Sequence, residues 1–183
     1  MKRLKKIFPI VFLLTFIILP AGIAKATVIL EVSFDEVVQG AEFIFEGRVV
    51  SKETRPSPIG GTPFTYFTFE IIDVIKGSFP GNTIELGFMG GTLDDLTLDV
   101  EGMRMPEVGE KGIYFVESLD QQVHPLYGWR QGHYLVVTDP EDLQEKVVPL
   151  LAESTKTLKV FIAIAPTVDE FKQNVRDVIG GGR

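Results

Sequence analysis

Residues 41–52 read Ala-Glu-Phe-Ile-Phe-Glu-Gly-Arg-Val-Val-Ser-Lys, and residues 64–77 read Phe-Thr-Tyr-Phe-Thr-Phe-Glu-Ile-Ile-Asp-Val-Ile-Lys-Gly. Both stretches are rich in aromatic and β-branched residues, which suit a pleated, half-buried surface. In the first, Phe43, Phe45 and Val49 share one face, while Glu46, Arg48 and Ser51 or Lys52 fall mostly outward. Gly47 inside that run predicts a bulge, a sharp bend or a close backbone approach. In the second, Phe67, Phe69 and Ile71 alternate with Thr68 and Glu70, and then the period slips at Ile71-Ile72 and again at Val74-Ile75. A slipped period predicts bulges where a curved sheet turns a corner. A straight strand from Phe64 to Ile75 would span roughly 40 Å, too long for a small domain, so it should bend. Residues 53–62, with Pro56, Pro58, Gly60 and Gly61, read as the loop between the two strands.

Working outward, Ser33-Phe34-Asp35-Glu36 has the form of a capping box, and Phe34, Val37, Val38 and Ala41 follow at helical spacing. This predicts a short helix ending near Gly40. After the turn 76–82, Ile84, Leu86 and Phe88 mark a third strand over 83–88. Gly90-Gly91 opens an excursion to about Gly109 that is long for an ordinary connection. Residues 113–116 and 132–138 read as a fourth and a fifth strand, and 146–151 as a hairpin return. Residues 157–165 form another extended run before Pro166. Thr167-Val168-Asp169-Glu170 is a second capping box. Val168, Phe171, Val175, Val178 and Ile179 then predict an amphipathic helix over 168–179, its apolar face on the barrel.

The chain has 183 residues, 45% hydrophobic and 23% charged, which suits one packed domain with a short appendage. A basic start (Lys2, Arg3, Lys5, Lys6), the apolar run 7–18, Pro20 and Gly22, and Ala24-Lys25-Ala26 follow the order of a cleavable secretory signal. The expectation is a signal peptide over 1–26, a β domain over 27–152, and a C-terminal strand and helix over 153–183. Export places the chain in the periplasm or outside the cell, with no stable membrane insertion after cleavage. Without the five bases of residues 1–26, thirteen remain against 25 acids, a net charge of −12. That balance argues against nucleic acid and anionic membrane surfaces as partners. No Cys is present, so no disulfide framework exists.

The order helix, long strand, long bent strand ending in Lys-Gly, strand, glycine-led loop, strand, strand resembles the netrin-like branch of the OB-fold, the barrel of tissue inhibitors of metalloproteinases. Residues 41–51 and 69–77 carry the likeness. Secreted bacterial proteins that share Glu46–Val50, Val74–Gly77, Gly90–Thr92 and Val108–Glu110 resemble the chain more closely still. The resemblance spans roughly residues 33–138. It implies an all-β fold with small α content: a five-stranded OB-like barrel with a short N-terminal helix and a C-terminal amphipathic helix. It also implies a protein partner, with a secreted protease the partner by resemblance alone. The animal inhibitors use an N-terminal Cys on the protease zinc. This chain has none, and its expected mature start is Thr27, so no inhibitory residue carries over.

The side chains that could do chemistry are few. His124 and His133 are the two histidines, nine positions apart and without Cys, a poor match to zinc-ligand spacing. Asp94, Asp95, Asp99 and Glu101 lack the pattern of a calcium loop and read as a solvated acidic stretch. No serine sits in a Gly-x-Ser-x-Gly context, and no glycine run leads into Lys-Ser or Lys-Thr. Tyr127-Gly128-Trp129-Arg130-Gln131-Gly132 is the cluster best suited to a binding patch, since Tyr, Trp and Arg dominate interface energetics. Its bland reading is core and turn packing. The candidate patch is therefore Tyr127, Trp129, Arg130 and His133, with no catalytic, metal or cofactor residue assigned. The expected function is a non-catalytic, extracytoplasmic binding module. The alternatives are a cell-envelope hydrolase using His124 or His133, and a structural envelope protein.

Overall fold

A computed structural model describes residues 32–58, 60–120, 123–150 and 161–181. The expected signal peptide and Thr27 lie outside them. The described chain is all-β with few helices. Helix α1 (Phe34–Gly40) leads into β1 (Phe43–Pro56), β2 (Pro63–Lys76) and β3 (Thr83–Met89). A small ribbon, β4 (Gly91–Leu93) and β5 (Leu96–Leu98), follows. Strands β6 (Lys111–Val116), β7 (His133–Thr138) and β8 (Glu145–Pro149) come next, then α2 (Val168–Gly180). One antiparallel sheet has the order β3-β2-β1-β6-β7-β8, and β4-β5 stands apart as a pair.

The six strands form one sheet that does not close into a barrel. Between β3 and the β6 side, residues 123–127 come nearest to closing it. Glu117 N–H donates to Pro125 O and Tyr127 N–H to Phe115 O, while Met89 N–H donates to Val123 O at 3.1 Å. The ladder does not continue along β3.

The slipped periods are bulges. Gly47 faces Ile71 while Glu46 faces Asp73, so Ile72 is extra. Phe45 faces Val74 while Ile44 faces Lys76, so Ile75 is extra as well; on β1, Val50 is the extra residue between Val49 and Ser51. The first strand runs past the expected Lys52 to Pro56, because Glu53, Thr54 and Arg55 find cross-strand partners in Tyr66, Thr65 and Phe64. The loop therefore shrinks to the tip after Pro56.

Both faces of the central sheet are covered. On one, Phe43, Phe45, Phe67, Phe69, Phe88 and Tyr114 form an aromatic core, with Phe69 and Tyr114 ring centroids 4.7 Å apart. On the other, Ile44, Ile113 and Phe115 receive α1 and α2 through Val37, Val38, Phe171 and Val175. Phe34 and Phe171 meet edge to face at 5.5 Å. This second layer corrects the outward reading of Glu46. The residue does leave the aromatic core, but it lies under α2 and is only 2% exposed.

Both helices start as their sequences require. Ser33 Oγ accepts from Glu36 N–H, and Thr167 and Glu170 form a complete reciprocal capping box. Val147 N–H donates to Pro166 O, which pins the start of α2 to β8. The extended run expected over 157–165 is corrected where it is described: residues 161–164 are helical. No described strand pairs with them, so the backbone satisfies its polar groups locally. Residues 157–160 lie outside the described part.

Candidate functional site

The candidate patch does not assemble as one surface. Gly128 and Trp129 both take left-handed backbone conformations, with φ 57° and 59°. That turn separates the side chains around it. Tyr127 packs into the helix-side core beside Gly40 of α1, where no side chain would fit. Trp129 lies half-buried and stacks on His124, rings 4° from parallel with centroids 5.5 Å apart. Arg130 is half-buried in the 3-10 turn 129–132. His133 turns inward and lies against Tyr114, 4.8 Å between centroids. Of the four residues, His133 is buried, while Tyr127, Trp129 and Arg130 are half-buried.

Both imidazoles are core groups, His124 at 4% exposure and His133 at 1%. His124 is sandwiched between Trp129 and Phe88, and its Nδ1 accepts from Leu126 N–H at 3.2 Å. Burial pushes its pKa down to about 4, against a smaller upward pull from Leu126. His133 Nε2 lies 2.9 Å from Glu110 Oε1, an ion-pair distance approached too obliquely for a hydrogen bond. Burial holds this imidazole below its usual value, with Glu110 opposing. For Glu110, burial pushes upward, but His133 and Arg104 outweigh it and leave the carboxyl below the usual range. Arg104 holds the other oxygen at 2.7 Å, and the Tyr114 hydroxyl, raised by burial and by Glu110, lies beside the pair.

A second polar node lies on the helix side. Glu46 bonds Lys111 at 2.9 Å through one oxygen and Lys172 through the other. Lys111 continues to Glu145 at 2.6 Å, and Lys172 to Asp73 at 3.0 Å. A cavity of about 510 Å³ beside it is lined by Glu46, Glu145, Thr167, Asp169 and Lys172 among others. Its lining carries three acids, Glu46, Glu145 and Asp169, and one cation, Lys172. Another of about 510 Å³, mostly apolar, lies under the ribbon and is lined by Leu98, Val100, Met103, Arg104 and Met105 among others. Among the described residues no group of three or more His, Asp or Glu side chains could hold a metal ion. No described helix is long and apolar enough to cross a membrane.

The surface feature with interface chemistry is at β3. The Arg55 guanidinium lies 3.8 Å over the Tyr66 ring and bonds Glu85 at 2.5 Å. Tyr66 faces Gly87 across the β2–β3 ladder, where a Cβ would meet the ring at 2.9 Å. The missing side chain lets the ring lie flat on the strand. Beyond it a cleft of about 150 Å³ is lined by Tyr66, Glu85, Leu86, Gly87, Ser118, Leu119, Asp120 and Pro125. The far bank carries exposed apolar groups, Leu119 at 41% and, nearby in sequence, Val123 at 48%. Sequence reasoning passed over these residues. The one available signal was Tyr66, the single Tyr in an otherwise Phe-rich strand.

No known family model, no curated protein and no solved structure matches this chain. The geometry alone therefore carries the functional reading.

Proposed function

We propose that this chain is an exported, non-catalytic binding module whose partner is a polypeptide. The observation that carries it is the fixed Arg55–Tyr66–Glu85 cluster beside an open cleft. Aromatic and Arg side chains locked in place lose little entropy on binding, which is why they anchor interfaces. The hydrolase alternative needs an imidazole at an accessible surface, and both are core groups. The strand order, with β1 between β2 and β6, supports an OB-like barrel left open beside β3, since OB-folds are partly open Greek-key barrels. The netrin-like resemblance adds a secreted protease as the partner to try first.

The experiment uses residues 27–183 with a secreted zinc endopeptidase, and separately with ester and peptide substrates alone. Saturable slowing of the protease, with no turnover by the chain itself, is the expected result. Turnover by the chain, lost in His133→Gln while the circular-dichroism spectrum is kept, overturns the proposal in favour of the hydrolase.

A further inference from the structure

We infer that the free edge of β3 accepts an extended segment of a partner polypeptide as an added strand; this rests on the binding-module reading. Two hydrogen bonds fix which groups are free. Gly90 N–H donates to Pro63 O at 2.9 Å, and Ile71 N–H to Asn82 O at 2.8 Å. Antiparallel alternation then assigns Ile84, Leu86 and Phe88 to β2 and turns the N–H and C=O of residues 83, 85, 87 and 89 outward. Met89 agrees, since its N–H goes to Val123 O. Thr83, Glu85 and Gly87 have no backbone partner on that side among the described residues. An extended chain is the one ligand that matches such a row of alternating donors and acceptors.

Side chains define the partner further. The cleft at Leu86 and Gly87, banked by Leu119 and Pro125, suits an apolar side chain of the added strand. The charge at the edge is acidic on balance: Arg55 pairs with Glu85 and lies 3.9 Å from Glu53, and with Asp120 across the cleft three acids face one cation. A second copy is disfavoured: two-fold pairing about the centre of the free edge sets this net-acidic edge against itself, and like charges facing one another destabilise a ladder. The occupant is therefore a different polypeptide, extended, with Lys or Arg opposite Glu85 and an apolar residue beside it.

Short synthetic peptides test this. One alternates Val and Thr around a central Lys, a second has Glu in place of that Lys, and a third is the Lys peptide N-methylated at alternate backbone nitrogens. Binding is read by fluorescence anisotropy and by amide NMR shifts of the mature chain. The Lys peptide should bind and shift the amides of Thr83, Glu85 and Gly87. The Glu peptide should bind roughly tenfold more weakly. The N-methylated peptide should not bind, and Thr83→Pro, which removes an outward N–H at a strand start, should weaken the Lys peptide. Binding that ignores N-methylation and shifts residues 127–132 instead overturns the edge and leaves the binding module standing. Failure of every peptide to bind overturns the edge, with protease inhibition still deciding the module. A dimer lost in Thr83→Pro overturns the choice of partner, and cleavage of the peptides overturns both readings.

Discussion

Lys172, on the C-terminal helix, closes an ion pair with Glu46 near the start of β1. Glu46 is buried, and its other oxygen is held by Lys111. Removing the carboxylate leaves two ammonium groups short of a partner in a poorly solvated place. Glu46→Ala should cost about 3 kcal/mol in urea unfolding, as broken buried pairs do. Glu46→Leu combined with Lys172→Met should recover much of that loss, because an apolar pair of similar volume removes the stranded charge.

The pair also sets an alkaline limit. Burial pulls Lys172 down, but Glu46 and Asp73 outweigh it and raise it above the ordinary lysine value of 10.5. A raised folded-state value means stability that is present below 10.5 and lost as pH climbs through the folded value. Urea midpoints should fall in that window, and less steeply in the Glu46→Leu, Lys172→Met variant.

His124 sets an acid response. Its ordinary value of 6.5 falls to about 4 in the fold, so the unfolded chain takes up the proton first as pH drops. Stability should decline by about 3 kcal/mol between those two values. His133, lowered by burial, acts in the same direction. Urea unfolding at neutral pH and at mildly acid pH, for the natural chain and for His124→Gln, measures the effect. The variant should show the shallower decline.

Lys76 replaces a missing cap. Its ammonium donates to the carbonyls of Val38 at 2.8 Å, Gln39 at 2.8 Å and Ala41 at 2.6 Å, the end of α1. A positive charge there also complements the helix dipole. Lys76→Met should cost about 2 kcal/mol. Hydrogen exchange of the α1 amides should quicken more than that of the β2 amides.

Gly91 is a backbone requirement. Its φ is +115°, and a Cβ there would strike the Thr65 hydroxyl and meet Thr54 Oγ1 at 3.0 Å. Gly91→Ala should cost about 1–3 kcal/mol in thermal or urea unfolding. Gly60, φ +86° with no atom within 4 Å of an added Cβ, provides the comparison: its Ala variant carries the strain without the contact, and should cost less.

The aromatic face was legible because Phe43, Phe45, Phe67 and Phe69 keep a period of two on either side of the hairpin. Both helices were legible from their caps and from apolar residues three and four apart. Glu46 was misread, since alternation tells which face a side chain takes and not what covers that face. The cover comes from α2, far along the chain. The placement of the candidate patch was not legible for a related reason. Composition brings Tyr127, Trp129 and His133 together, but two successive left-handed residues send them to different layers. The β3 edge was hidden because an unpaired ladder is a property of strand order, which no local pattern of residues 83–89 records.

Strand β2 behaves like a message with a reading frame. Its extra residues, Ile72 and Ile75, are what bring Asp73 level with Glu46 and Lys76 level with Ile44, on the helix side of the sheet. There Asp73 meets Lys172 and Arg176 of α2, and Lys76 meets the end of α1. Losing one codon at 72 would turn Asp73 toward the phenylalanines and disengage the C-terminal helix, whereas losing one at Gly60 would shorten a loop tip. In this molecule, tolerance to deletion is written by the bulges rather than by distance from the core.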